Sequence, residues 1–590
     1  MRKRDASVYP ADSRARPRRA WRALSAALIG LLLGVIASGL FQNIPDISGI
    51  PDVSAISQTL RSLPGVRDIY TATSAPMPTS QPATPAPLSP VTLSALSREL
   101  QNPIQIENAR PGSTGWLIPS GDAATTQIQG YGSAESAAPG QTLTFYVSVQ
   151  RPHDAYRVDV YRLGWYNGAG GHLMATLDET GQTQGYYDWQ NKVLVGCASC
   201  RFDQATKLLD AGWKPSFQLT IPGDWTTGLY VAKLTTAENM QAYIHFTVTG
   251  DPYSTYVATM PDTSTAAYND WGGYSLYHGP DELLATRAFK VSLNRPALGW
   301  RFGYGAGLSQ VIDAIRWMER NGYDVSYAST IDVHERPQLV LTHRAYLSLG
   351  HDEYWSAAMR NGVERARDAG IGLAFFGANA AYWNIRFERD RNGVADRIIV
   401  CYKSALLDPL YGKDNAHVTV EWRQAPLNRP ENALVGVMYA GWTIPPKGWG
   451  WFSPSTSSSL FAGTGLRVNT QYGCNDVGYE WDRVYNNGKT PPGLQVLGNS
   501  PTQAEEGYAS QSETTYYVAP SGAFVFASGS IYWSYALDAL HLWDVPRVPA
   551  NQWCLLTNAS APIPGIQRLM ANVMAQVAEN HRPEHRRWRP

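Results

Sequence analysis

The hydrophobic period of this chain changes near Asp251, and that change limits what the chain can fold into. From Ile104 to Gly250 the apolar residues alternate in short runs: Thr142 to Val149, Tyr156 to Leu163, Ser216 to Ile221, Gly228 to Leu234 and Gln241 to Val248. Each run is rich in β-branched and aromatic residues and is bounded by Pro or Gly turns, the pattern of strands. A succession of such strands without helical stretches predicts an immunoglobulin-like β-sandwich, a fold that binds or braces more often than it catalyses. Within it, Gly164-Trp165-Tyr166-Asn167 is either a sugar-stacking platform or a packed core or interface element; packing is the commoner use of such rings.

After Asp251 strands and helices alternate. Tyr253 to Met260 reads as a strand, Leu308 to Arg320 as a helix with Leu308, Val311, Ile312, Ile315 and Met318 on one face, and Asp324 to Ser329 as a strand. Ala345 to Leu349 is an apolar run that stops at Gly350. Helix formers follow from Ser356 to Ala369, with Ala358, Met359 and Val363 in one stripe, and Gly372 to Gly377 is a further buried strand. This alternation implies a parallel sheet with crossovers. Ligands of open α/β sheets bind outside the carboxyl ends of the strands, which is where this reading puts His351, Asp352, Glu353 and, after the next strand, Asn379. Two readings of the carboxylates stay open: helix-capping groups favoured by the macrodipole, or a functional cluster. Val418 to Val548 is aromatic-rich and turn-rich, with strands at Thr515 to Val518 and Phe524 to Ser528, and is expected to wall the same domain. A last amphipathic helix, Ile566 to Ala578, packs back on the body.

At 590 residues and 44% hydrophobic content the chain accommodates two or three domains with cores of their own. Basic and acidic residues number 49 each, so no global field recruits nucleic acid. The basic residues are nevertheless uneven. Arg2, Lys3, Arg4, Arg14, Arg16, Arg18, Arg19 and Arg22 precede an uncharged apolar run from Ala23 to Phe41. That run is at the lower end of what spans a hydrocarbon core of roughly 30 Å, with its positive flank inside. No Ala-x-Ala site follows it convincingly, which favours an uncleaved signal anchor over a cleaved signal peptide, and Arg18-Arg19 leaves a twin-arginine route open. Residues 42–103 form a Pro-, Ser- and Thr-rich stalk. The five cysteines are too few for a disulfide scaffold. Cys197-Ala198-Ser199-Cys200 lacks a second pair or a nearby histidine to complete a zinc site, so a local disulfide in an oxidising compartment is expected.

Several runs now line up: Ala267-Tyr268-Asn269-Asp270-Trp271, Asn294-Arg295-Pro296, Gly322-Tyr323-Asp324, Gly350-His351-Asp352-Glu353-Tyr354-Trp355, Ala378-Asn379-Ala380-Ala381-Tyr382-Trp383, Val400-Cys401-Tyr402-Lys403, Gly478-Tyr479-Glu480-Trp481-Asp482 and Ser521-Gly522-Ala523-Phe524. In their order and number they resemble the large (beta) subunit family of N,N-dimethylformamidase, from about residue 104 to 580. The resemblance implies a mononuclear iron held by two tyrosines and one glutamate, and hydrolysis of the C–N bond of a small formamide. Residue by residue it points to Glu353 and Tyr268 as metal ligands, with Tyr304 as the second tyrosine and Tyr277 as its alternative. His351 is implied as a proton relay and Asn379 as a hydrogen-bond donor to the developing oxyanion. Phenolate and carboxylate oxygens are hard donors suited to a hard cation. Lys403 is either a surface or ion-pair lysine or part of the site lining. The chain departs from the family where Asp352 replaces a proline, in its N-terminal extension, and in showing no small subunit.

The expected fold class is thus multidomain α+β: an N-terminal transmembrane helix, an immunoglobulin-like β-sandwich, and an α/β domain of flavodoxin or amidotransferase type with a parallel sheet. The expected order is a basic cytoplasmic arm (1–22), an anchor or signal (23–41), a stalk (42–103), the sandwich (104–250), the α/β domain (251–580) and a charged tail (581–590). Two functions compete. One is a membrane-tethered extracytoplasmic metallohydrolase acting on a small amide-like substrate, either as a homo-oligomer or with a separate small subunit. The other is a non-catalytic surface protein that binds carbohydrate or a protein partner. Convergence of Tyr268, Glu353 and Asn379 on one point discriminates between them.

Overall fold

Alternating side chains need a second apolar surface to cover them, and in the first part of the chain two sheets cover each other. The structure, a computed structural model, describes residues 101–119, 121–297, 305–444, 448–540, 542 and 562–579. Ile128–Gly132, Thr142–Val149 and Phe217–Thr220 pair antiparallel in one sheet. Ser136–Ala137, Gln241–Val248, Gly228–Thr236, Ala155–Leu163 and Gly171–Thr180 form the other, in that order. Phe145, Val147, Phe217, Val158, Tyr230 and Phe246 fill the space between them. Phe145 stacks on Phe217 at 4.7 Å within its sheet and meets Phe246 edge-on at 5.8 Å. Such pairs each add about 0.5–1.5 kcal/mol beyond area burial. The folded body begins ahead of Ile104: Asn102 caps the helix Pro103–Asn108 and donates its amide to the Gly322 carbonyl.

The second part is built on a seven-stranded mixed sheet. Its strands are β1 (Tyr256–Met260), β2 (Val325–Ser329), β3 (Ala345–Leu349), β4 (Gly372–Phe376), β5 (Gln495–Gln503), β6 (Ala509–Val518) and β7 (Phe524–Ala527), in the spatial order β2-β1-β3-β4-β7-β6-β5. The first five in that spatial order are parallel; β6 and β5 close the edge antiparallel. Helices α1 (Asp262–Tyr268), α2 (Gly305–Arg320), α3 (Thr330–Glu335), α4 (Ala357–Asp368) and α5 (Pro564–Ala578) accompany it. Period-2 alternation divides each strand between two cores. Ala258, Leu347, Ala374 and Phe526 face α2 and α5, through Ile312, Ile315, Leu569 and Val573. Val257, Tyr346, Leu373 and Val525 face α4, through Met359, Val363 and Ala366. Replacing a fully buried residue such as Leu347 by Ala costs about 2–5 kcal/mol.

One expectation changes, and two pairs of open alternatives are decided. The segment 418–548 is more than a wall, because β5, β6 and β7 come from it and complete the sheet. β6 and β7 correspond to the two strands expected there, while β5, beginning Gln495-Val-Leu-Gly-Asn-Ser-Pro, carries too many small and polar residues to show strand periodicity. Trp165 and Tyr166 serve an interface. Tyr166 is buried and hydrogen-bonded to Glu107, and the guanidinium groups of Arg316 and Arg320 lie 5.0 and 5.1 Å from the Trp165 ring. Asp352 and Glu353 do not cap α4: Ser356 does, accepting from the Met359 N–H, and a short strand, Tyr354–Ser356, stands between Glu353 and the helix. The basic arm, the 23–41 anchor or signal, all but the last residues of the stalk, and the 581–590 tail lie outside the described residues. Among the described residues no helix is long and apolar enough to cross a membrane. Cys197 and Cys200 form the expected local disulfide.

Candidate active site

β1 and β3 are neighbours in the sheet, yet the chain runs from β1 out to β2 on one side and returns to β3 on the other. Strand order reverses between them, and the crevice at such a switch point is where doubly wound sheets bind ligands. β1 leads into α1, which ends at Tyr268. β3 leads through Gly350, at φ +63°, into His351, Asp352 and Glu353. β4 ends at Gly377, where a Cβ would fall 1.8 Å from the Gly350 carbonyl oxygen, so only glycine lets the two strand ends approach this closely. A small second sheet of Lys290–Ser292, Ile398–Val400, Trp383–Glu388 and Tyr354–Ser356 covers one side and carries Lys403 just past its second strand.

The side chains meet on the Glu353 carboxylate. The Tyr268 hydroxyl donates to Glu353 Oε2 at 2.7 Å and the Tyr277 hydroxyl to Oε1 at 2.5 Å. The two phenol oxygens are 2.8 Å apart and their rings stack at 4.3 Å. Trp383 Nε1–H donates to Oε1 at 2.9 Å, and Ser264 Oγ accepts the Glu353 N–H at 2.8 Å, fixing both ends of the residue. His351 Nε2 lies 3.3 Å from Glu353 and 3.2 Å from Glu480, and Tyr479 closes its other side, hydroxyl to Nδ1 at 3.1 Å. Asn379 donates Nδ2–H to Glu480 at 2.9 Å. Lys403 is half-buried, with its Nζ buried 3.3 Å from the centre of the Tyr277 ring and without a hydrogen-bond partner among the described residues.

Burial here works against charge of either sign. It pushes the Tyr268 and Tyr277 phenols well above their ordinary range, with the Glu353 charge adding to the shift, and it raises Glu353 itself. It lowers Lys403 to about 8 against the opposing pull of Glu353. Burial also disfavours the His351 imidazolium, but Glu480, then Glu353 and Asp352, outweigh it and lift the group to about 9. The backbone is strained as well: Asn379, Ala381 and Lys403 all have φ between 54° and 57°.

The structure therefore brings together Tyr268, Glu353 and His351, with Asn379 behind Glu480. Asn379 gives one of its two Nδ2 hydrogens to Glu480 and so supports that carboxylate. Tyr304 lies outside the described residues; Tyr277, its alternative, donates to Glu353 beside Tyr268. Glu480 and Tyr479 carried no role in the sequence reading; their Gly478-to-Asp482 run was the signal, at the start of the short strand Glu480–Arg483. Lys403 lines the site. Among the described residues no group of three or more His, Cys, Asp or Glu side chains is arranged to hold a metal. The set that converges here is of another kind, two phenols and one carboxylate, and its hard oxygens suit a hard, highly charged cation.

These features define an α+β protein with many sheets, few helices and a buried polar cluster at the carboxyl ends of parallel strands. More particularly, the chain belongs to the N,N-dimethylformamidase beta subunit-like, C-terminal family, which matches residues 157–548. Comparison with curated proteins gives no match. Solved structures give only distant likenesses. The sporulation control protein Spo0M of Bacillus subtilis is 11% identical over 22% of this chain and 51% of its own, with a TM-score of 0.13. A cycloisomaltooligosaccharide glucanotransferase of Paenibacillus sp., complexed with cycloisomaltoheptaose, is 9% identical over 50% of this chain and 36% of its own, with a TM-score of 0.14. The chain thus spans about half of the first and about a third of the second.

Proposed function

We propose that this protein is a hydrolase of small amide-like C–N bonds, with a mononuclear iron held by Tyr268, Tyr277 and Glu353. The observation that carries the reading is the convergence of two phenol oxygens on one buried carboxylate, within 2.8 Å of one another. A surface-binding module has no need of such a cluster. Bound there, the metal would supply Lewis acidity to an amide carbonyl and to a water molecule. Trp383 holds the Glu353 carboxylate in place for it, and Ser264 holds the Glu353 backbone N–H. Lys403, against the Tyr277 ring, offsets negative charge that burial otherwise makes costly. Glu480 and His351 are the proton-handling pair: Glu480 takes a proton from the attacking water, and His351, in reach of both carboxylates, delivers one toward the leaving nitrogen. Asn379 and Tyr479 fix the positions of that pair.

The finer fold reading accompanies this proposal, with an immunoglobulin-like sandwich bracing an α/β domain of flavodoxin or amidotransferase type; the β2-β1-β3-β4-β7 order of the parallel strands supports the second name. So does an extracytoplasmic, membrane-tethered location, supported by the arginine-flanked apolar run and by the Cys197–Cys200 disulfide, a bond that persists in oxidising compartments. The test is amine release from formamide and its N-methylated derivatives by the purified full chain. Glu353→Ala should remove both metal and turnover. Asn379→Ala should leave the metal bound and slow turnover by about 10–100-fold, the usual cost of losing a supporting hydrogen bond. Metal-loaded protein that releases no amine from any of these amides contradicts the proposal.

A further inference from the structure

Helix α1 has two working faces. Ser264 and Tyr268, four residues apart, both reach Glu353. Asp262, Thr265, Ala266 and Asn269, spaced at i, i+3, i+4 and i+7, line a separate cavity of about 50 Å³ on another face. Its opposite wall belongs to the sandwich, through Tyr131, Ile244 and His245. A water molecule's share of liquid volume is about 30 Å³ and one needs only part of that as free space, so the cavity has room for a guest of a few heavy atoms.

Two buried polar atoms of its wall residues are unsatisfied. Asp262, 5% exposed, has Oδ1 3.4 Å from His245 Nε2, while its Oδ2 has no hydrogen-bond partner among the described residues. Arg295, 3% exposed, gives its terminal N–H groups to the carbonyls of Trp271, Tyr274, Ala266 and Asn269, which leaves Nε without a partner among the described residues. Leaving such a donor and acceptor unpaired costs about 1–3 kcal/mol each. Ile244, Ala266 and Leu293 make the rest of the surroundings partly apolar.

We propose that this cavity binds a small neutral molecule of the amide or alkylurea class, its N–H donating to Asp262 Oδ2 and its carbonyl accepting from Arg295 Nε–H. A cationic guest meets the Arg295 guanidinium, and an anionic guest meets the carboxylates of Asp262 and Glu135, of which Glu135 is paired with Arg397 and Asp262 lies against His245; a neutral donor–acceptor pair answers both orphan atoms without an unmatched charge. The inference stands apart from the hydrolase reading, since none of these residues belongs to the Glu353 cluster.

Methylurea is a suitable probe, with both groups and no formyl C–N bond, and its binding to the full-length protein can be followed by calorimetry. Saturable binding is expected to the native chain and equally to Glu353→Gln, which alters only the other face of α1. Asp262→Asn, which replaces the orphan acceptor's charge, should weaken binding at least about tenfold, the equivalent of 1.4 kcal/mol. Ala266→Leu, which fills the cavity, should abolish it and decides the matter if Asp262→Asn does not fold. Absence of saturable binding, leaving water as the only guest, overturns the proposal. So does binding that Ala266→Leu leaves intact and Glu353→Gln removes, which would locate the guest in the Glu353 cluster, and so does methylammonium binding as tightly as methylurea.

Discussion

Two polar clusters built on buried carboxylates lie in this protein, and they are finished to different degrees. In the first, between the sandwich and the sheet, Arg162 and Glu319 pair with both side chains at 0% exposure. Arg162 also donates to the Thr227 carbonyl and the Tyr166 hydroxyl, and Glu319 accepts from Asn108 and Tyr327. Charges are matched one for one. In the second, around Glu353, two phenols, an indole and an imidazole crowd two carboxylates, an ammonium ion rests on an aromatic ring without a hydrogen bond, and three non-glycine residues hold left-handed backbone. A cluster that exists to join two layers reaches satisfaction by itself. One that exists to receive a ligand keeps part of its capacity unspent, and proteins break local rules at such places.

The comparison breaks most clearly at the first cluster. Glu319→Ala leaves an uncompensated buried guanidinium and should cost about 3–5 kcal/mol in denaturant unfolding; a loss under 1 kcal/mol would mean the pair is not a structural joint.

The pH dependence comes next. Burial raises Asp482, whose carboxylate holds the Asn379 N–H, to about 7, above the unfolded value of about 3.9. Between those values the folded state binds more protons than the unfolded one, so this group's contribution declines as pH rises from about 4 to about 7. Native protein should therefore lose stability relative to Asp482→Asn across that window; parallel curves would show that the carboxylate is not perturbed.

A smaller effect, opposite in sign to that of Glu319→Ala, is expected at Glu353. Burial raises its pKa, so ionising it opposes folding, and Glu353→Gln should stabilise metal-free protein in denaturant unfolding. Destabilisation of the size expected for Glu319→Ala would make the two clusters alike.

The sequence disclosed the elements with their own period. Thr142–Val149, Gln241–Val248 and Ala345–Leu349 have the expected ends because each alternates or runs apolar between clear breakers. β5 was not legible, since its glycine, asparagine and proline mask the pattern and its place depends on β6. At the site, His351 and Glu353 were readable because they follow a periodic element directly, whereas Tyr268 was indicated only by the family resemblance of its Ala267-Tyr268-Asn269 run. Tyr277 and Glu480 sit in or beside irregular chain, where spacing carries no information about direction, and only folding reveals that Tyr277 points at Glu353 and Glu480 at His351.

The most direct test of the account is elemental analysis of the purified full chain, with Glu353→Ala and Tyr277→Phe measured beside it. The account predicts about one iron per native chain, loss of that iron in Glu353→Ala, and weakened retention in Tyr277→Phe, since each removes an oxygen of the convergent set. A native chain that carries no transition metal and takes up none on incubation, or one whose iron survives Glu353→Ala, would contradict it.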